Sequence, residues 1–313
     1  MKFALVFPGQ GSQSIGMMAA YGDSSLIRDT FAEASEALGR DLWQLVTEGP
    51  AEALNQTIVT QPLMLTADIA TYRLWLAKGG PLPDLVAGHS LGEYAALVVA
   101  GAIAFGDAVP LVEFRAKAMQ EAVSEGEGGM AAILGLPAAT VQAACAEFAQ
   151  GQIVEAVNFN TPEQIVIAGH AAAVQRVADA CKARGAKRAV MLAVSAPFHC
   201  ALMQPAAEKL KQRLEALTIN TPKIPVVNNV DVACLTDPVL IKDSLVRQAA
   251  APVRWVETMQ TMASLGVSHI YECGPGKVLA GLVKRCVDGV VGAPMSDLAG
   301  IDAALAALAA IKE

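Results

Sequence analysis

Paired cysteines, basic runs and long apolar stretches are all missing from this chain of 313 residues. Its six cysteines, Cys145, Cys181, Cys200, Cys234, Cys273 and Cys286, stand far apart with no C-x-x-C pair. That spacing argues against a zinc site and fits reduced thiols in a cytoplasmic protein. Lys and Arg number 23 against 30 Asp and Glu, a net charge of −7 without a basic cluster, so no nucleic-acid partner is expected. The longest apolar stretch, Ala95 to Phe105, falls well short of the ~20 residues that span a bilayer, so no membrane partner is expected. The opening MKFALVFPGQ lacks an apolar h-region and a small-residue cleavage site, so no signal peptide is expected. Repeats and low-complexity linkers are missing too. Charged residues are only 17% and aromatics 5%, while hydrophobic residues reach 54%. That balance excludes intrinsic disorder. An apolar fraction of Ala, Val and Leu suits helices packed on parallel strands.

Local patterns divide the chain. Phe3 to Phe7 is a continuous apolar run stopped by Pro8-Gly9-Gln10-Gly11-Ser12, which reads as a buried strand and a tight loop. Helical patterns cover 24–38 and 61–77, Leu85-Val86-Ala87 is a second strand, and 91–100 and 111–122 are helical. Strand, loop and helix repeated in this way indicate a parallel sheet flanked by helices. From Gly126 the order becomes strand 130–134, helix 137–148, strands 153–158 and 164–168 around Thr161-Pro162, helix 171–184 and strand 188–194. This is the βαββαβ, ferredoxin-like arrangement. After Pro197 the first pattern resumes with helices at 205–217, 238–250, 253–265 and 278–285, strands at 224–228 and 269–272, and an Ala-rich terminal helix. The fold class is therefore α/β: a large unit of residues 1–125 and 197–313, interrupted by a small subdomain at 126–196.

Gly88-His89-Ser90-Leu91-Gly92 is a G-x-S-x-G segment with a strand before it and a helix after it, the flanks that a nucleophile elbow requires. Glycines permit a turn too tight for Cβ atoms, and the helix N-terminus favours negative charge nearby. A serine hydroxyl needs a base within hydrogen-bond reach. Of the four histidines, His89 adjoins Ser90 and the turn directs it away, His170 lies in the small subdomain, and His269 opens a strand. His199, at the Ser195-Ala196-Pro197-Phe198 corner where the chain returns to the large unit, is the base by elimination. Spacing identifies no carboxylate to complete a triad. The elbow alone suits an acyltransferase and a hydrolase equally.

The segments Phe7 to Gln13, Gly88 to Tyr94, Arg115, Ser195 to His199, Asn228-Asn229-Val230-Asp231 and Gln248 to Trp255 occur in this order over essentially the whole length. In this the chain resembles the malonyl-CoA:acyl carrier protein transacylases. The resemblance implies an α/β-hydrolase-like core with a parallel sheet and the ferredoxin-like insert. It implies malonyl transfer through a seryl ester, with malonyl-CoA as substrate, acyl carrier protein as partner and no cofactor or metal. Carried over by position, Ser90 is acylated and His199 is its base. The Gln10 and Leu91 N–H groups form the oxyanion hole, Arg115 binds the malonyl carboxylate, and the Gln248 main-chain carbonyl orients His199 in place of an acid. His89, Asn160 and Met119 are supporting pocket residues, and a bulky Phe198 before the histidine goes with malonyl. A thioesterase for uncharged acyl chains would gain nothing from Arg115, and a dead carrier-binding module would not need both Ser90 and His199. Gly274-Pro275-Gly276-Lys277 lacks phosphate-loop spacing and reads as a strand-to-helix turn. A monomer is expected.

Overall fold

The computed structural model describes residues 2–194 and 196–310, so Ser195 of the corner motif lies outside the described residues. Among the described residues, nine strands form two sheets. β1 (Lys2–Phe7), β2 (Leu85–Gly88), β7 (Val226–Val227), β8 (Val267–Glu272) and β9 (Val291–Pro294) make a parallel sheet in the order β7-β2-β1-β8-β9. β3 (Gly128–Leu134), β4 (Val154–Thr161), β5 (Gln164–His170) and β6 (Arg188–Met191) make an antiparallel sheet in the order β4-β5-β3-β6.

The continuous apolar runs follow from burial on both faces of the parallel sheet. In β1, Phe3, Leu5 and Phe7 enter one core while Ala4 and Val6 enter the other, the two-residue period of a strand. Val86 in β2 joins the first core, and Leu85 and Ala87 the second. In the antiparallel sheet, Ala131, Ile133, Ile165 and Ile167 pack on the helices Ala138–Phe148 and Ala171–Ala183. The opposite face, with Met130, Val157, Val166 and Ala168, packs against Cys200 and Phe198. The insert thus turns its helix-free face toward the corner that carries His199. Phe159 N–H donates to Val253 O at 3.0 Å and Val253 N–H to Val157 O at 2.8 Å, tying β4 to the chain of the larger sheet.

Several expectations need correction. The helices expected at 61–77 and 111–122 begin earlier, as Thr57–Ala77 and Phe105–Glu121, with Pro62 and Pro110 inside them. Each proline removes one early backbone hydrogen bond, and burial of the flanking apolar side chains outweighs that loss. The strand expected at 188–194 stops at Met191, where its pairing with β3 ends. The one at 224–228 shrinks to two residues at the sheet edge. Leu42–Glu48, Ala51–Leu54 and β9 have no counterpart in the sequence reading, because each is too short for its period to register. Among the described residues, no helix is long and apolar enough to cross a membrane.

A buried carboxyl on the longest helix opposes folding. Asp68, on the Thr57–Ala77 helix, is fully buried with neither carboxylate oxygen partnered among the described residues, and a Cβ on Gly274 would lie 2.1 Å from its Oδ1. Burial, with Glu272 nearby, pushes its carboxyl well above the usual range. The folded chain therefore holds a proton that unfolded Asp68 releases above about pH 4. Its contribution to stability falls as pH rises from there toward the folded value, by up to about 1.4 kcal/mol per pH unit. Asp68→Asn should raise the thermal midpoint at pH 8 more than at pH 5. Equal shifts at the two pH values would contradict the assignment.

Candidate active site

Ser90 sits between β2 and the helix Gly92–Val99 with φ 53°, in the left-handed region that side chains avoid. Two flanking glycines make the bend possible. A Cβ on Gly88 would lie 1.8 Å from the Gly92 carbonyl carbon, and one on Gly92 would lie 2.0 Å from Phe7 O. The strained turn, which costs on the order of 1–3 kcal/mol, is held by Asn229. Its Oδ1 accepts the Ser90 N–H at 2.8 Å and its Nδ2 donates to Gly88 O at 2.7 Å.

The Ser90 Oγ lies 2.7 Å from His199 Nε2. His199 Nδ1 is 2.9 Å from the main-chain oxygen of Gln248, on the helix Pro238–Ala249. A carbonyl only accepts, so Nδ1 carries the proton and Nε2 is left to receive the serine's. Burial, reinforced by the Arg115 charge, pushes His199 down to about 3. The imidazole is therefore neutral at every ordinary pH.

Arg115, on the helix Phe105–Glu121, is only 2% exposed. Its guanidinium donates to Gln61 Oε1 at 2.8 Å, to Gln248 Oε1 at 3.0 Å and to Ser90 Oγ at 3.1 Å, and it lies over the Tyr94 ring. All these partners are neutral, and Nε has none among the described residues. Burial draws its pKa below the usual value. A cation removed from water without a carboxylate at contact costs several kcal/mol. Among the described residues, then, a buried cation stands beside the serine with no carboxylate at contact.

Gln10, on the loop after β1, and Leu91, at the head of the helix, line the same pocket as Ser90, Arg115 and His199. Among the described residues neither N–H has a hydrogen-bond partner, which leaves both free to meet a developing oxyanion.

The other expected residues separate. His89 lines the serine pocket but is bonded away from Ser90: its Nε2 is 2.8 Å from Asn160 Oδ1 and its ring is tilted against Trp255. Asn160 faces an adjoining recess with Pro8 to Ser12, Leu279 and Leu282, rather than the serine pocket. Met119 does not line the pocket; it is buried one turn from Arg115, its sulfur 3.9 Å from Gln61 Nε2. Phe198 does line it. Among the remaining histidines, His170 Nδ1 accepts the Ile153 N–H at 3.0 Å and His269 stands in β8, both outside the pocket. Gly274 to Lys277 links β8 to the helix Val278–Cys286, as expected.

Sequence reasoning missed Gln61, which reaches Arg115, and the walls Met130, Asn158, Leu192 and Val194. A lone glutamine among the apolar residues and threonines of the helix's first turns was the available signal for Gln61. Asn229 and Glu93 fall within the quoted motifs without a role, and the structure places both under the elbow.

The profile of the acyl transferase domain family matches residues 4–305. The malonyl CoA-acyl carrier protein transacylase of Escherichia coli is 57% identical over 97% of this chain and 99% of its own. That of Bacillus subtilis is 46% identical over 91% and 90%. A solved acyl-carrier-protein S-malonyltransferase from Burkholderia pseudomallei superposes with TM-score 0.96 at 59% identity, covering 98% of this chain and 100% of that one. A malonyl-transacylase solved in complex with its type II PKS acyl-carrier protein also gives TM-score 0.96, at 54% identity over 98% and 100%.

The Asn229 bonds carry a prediction that needs no substrate. Asn229→Ala orphans the Ser90 N–H and the Gly88 carbonyl, each worth about 1–3 kcal/mol when buried. A lowered urea midpoint should accompany slower labelling of Ser90 by a serine-directed probe. A variant with the parent's midpoint and labelling rate would show that the elbow holds itself.

Proposed function

Because the chain belongs to the malonyl-CoA:acyl carrier protein transacylase family, we propose that Ser90 takes the malonyl group from malonyl-CoA as an ester. It then yields that group to the phosphopantetheine thiol of acyl carrier protein, in two half-reactions. In the first, the Ser90 proton passes to His199 Nε2 as Oγ attacks the thioester carbon. The negative charge gathers on the carbonyl oxygen, against the Gln10 and Leu91 N–H groups. The C–S bond then breaks, and the CoA sulfur takes the proton from His199. In the second, the carrier thiol gives its proton to His199, sulfur attacks the ester carbon, and Ser90 Oγ leaves with the proton. These groups account for every proton and electron pair, so the proposal invokes no metal or cofactor.

Arg115 carries the choice of substrate. Its guanidinium lies 3.1 Å from the Ser90 oxygen and is matched by no carboxylate at contact. The free carboxylate of a malonyl ester on Ser90 would supply that match as a charge-assisted bond. Docking there also offsets the Arg115 charge, which after burial is the larger of the remaining causes that hold His199 low. The diacid thus readies the base that takes the Ser90 proton, which an acetyl group cannot do. Phe198 crowds the pocket beside His199, in keeping with an unbranched malonyl group. The thioesterase reading gains nothing from Arg115, because an uncharged acyl chain gives the guanidinium no carboxylate at contact.

Residues 1–125 and 197–313 are assigned to the unit that carries the serine, the base and the cation. Residues 126–196 form the subdomain that closes the pocket with Met130, Asn158, Leu192 and Val194. The product serves fatty acid or polyketide assembly. A cytoplasmic monomer is the state proposed, in keeping with six unpaired cysteines.

Intact-mass measurement after brief exposure to malonyl-CoA should show one malonyl adduct on the parent and none on Ser90→Ala; a full adduct on the variant would refute the nucleophile. Arg115→Ala should lower malonyl transfer about ten- to a hundredfold, the worth of one charge-assisted bond, while sparing acetyl transfer. Equal losses for both acyl groups would remove the carboxylate clamp.

A further inference from the structure

A second ionisable group lies in the same buried block and has no part in the two half-reactions. Glu93, on the first turn of the helix Gly92–Val99, is 2% exposed. Its Oε2 accepts the Gln248 Nε2–H at 3.0 Å and the Asn229 N–H at 2.9 Å. Gln248 turns its Oε1 to the Arg115 guanidinium at 3.0 Å. One side-chain amide therefore spans a buried cation and a buried carboxyl, oxygen toward the first and N–H toward the second. The same residue holds His199 through its main-chain oxygen and donates Nε2–H to Ser90 O at 3.0 Å.

Charge balance follows from this arrangement. Arg115 touches only neutral groups, so Glu93, one amide away, is the counter-charge of the empty site. A malonyl carboxylate on Arg115 sets two anions against one cation where water is excluded, and uncompensated buried charge costs several kcal/mol. We propose that Glu93 is a positioning residue that takes up one proton when a carboxylated acyl group docks on Arg115, so that the anion enters without a net change in buried charge. The inference rests on the malonyl reading above.

The surroundings leave Glu93 as the group that titrates. Facing it are Arg115 from the helix Phe105–Glu121 and Asp231 from the loop after β7, itself paired to Arg247 at 2.8 Å. Tyr94 beside it is pushed up to about 12 by burial, and His199 and His89 are held neutral by theirs. Burial pushes Glu93 up to about 7, with the Gln248 and Asn229 bonds and the Arg115 charge drawing it back. Above that pH the empty site holds it ionised, and a second anion raises it further. Binding then takes up a proton, so affinity for the carboxylated acyl group falls as pH rises beyond 7.

The test uses Ser90→Ala, which cannot be acylated, titrated calorimetrically at pH 8 in buffers of different ionisation enthalpy. Malonyl-CoA should bind with uptake approaching one proton more than acetyl-CoA, whose shared CoA phosphates cancel in the comparison. The malonyl-to-acetyl affinity ratio should fall by up to about tenfold per pH unit between pH 7 and 9. In Ser90→Ala/Glu93→Gln the extra uptake should vanish and the ratio become flat. Extra uptake that survives Gln at position 93, or malonyl-CoA binding with no more uptake than acetyl-CoA, overturns the proposal. No malonyl-CoA binding at all would instead sink the malonyl reading on which it rests. If the double variant does not fold, the malonyl-against-acetyl comparison in Ser90→Ala decides alone.

Discussion

A guanidinium buried without a carboxylate at contact is the constraint around which the pocket is arranged. Arg115 is almost fully removed from water, and the groups that meet it are two glutamine oxygens and the serine hydroxyl. Neutral acceptors keep it in place without neutralising it, so its charge stays available beside Ser90. The consequences spread outward: His199 is kept neutral by burial and by this cation, and the ring of Tyr94 backs it. Gln248 serves four groups: the cation with its amide oxygen, the elbow and Glu93 with its amide N–H, and His199 with its main chain.

The elbow is the mechanical counterpart. Its strain is tolerated because the chain on either side is fixed: β2 is buried on both faces, and Gly92 packs against the end of β1 so closely that a methyl group would collide with Phe7 O. Asn229 then satisfies both the serine N–H and the preceding carbonyl. The same close approach brings the Gln10 loop beside Leu91, so one packing contact both bends the nucleophile and pairs the two free amides. Stability at the site and chemistry at the site depend on the same glycines.

Much of the fold was legible in the sequence because its signals are local. Phe3 to Phe7 and Leu85 to Ala87 are apolar without interruption since both faces of their sheet are covered, and the βαββαβ order of the insert is written in alternating periods and turns. Helix starts at Thr57 and Phe105 escaped because Pro62 and Pro110 imitate N-terminal signals one turn too late. The acyl transferase membership was legible too, carried by motifs spread from Phe7 to Trp255.

The sequence by itself determined the bend at Ser90, since glycine spacing around it is a short-range steric fact, and it singled out His199 among four histidines as the one to meet that serine, which the structure places 2.7 Å away. Only the tertiary structure decided the electrostatics. Gln61, Arg115, Gln248 and Glu93 come from four separate helices, and nothing in their spacing along the chain says that they converge. Burial, which sets whether each of them is charged, is a property of the packed assembly of helices and sheets. The position of a bend is written between neighbours, whereas the charge state of a buried cluster exists only once distant segments have closed over it.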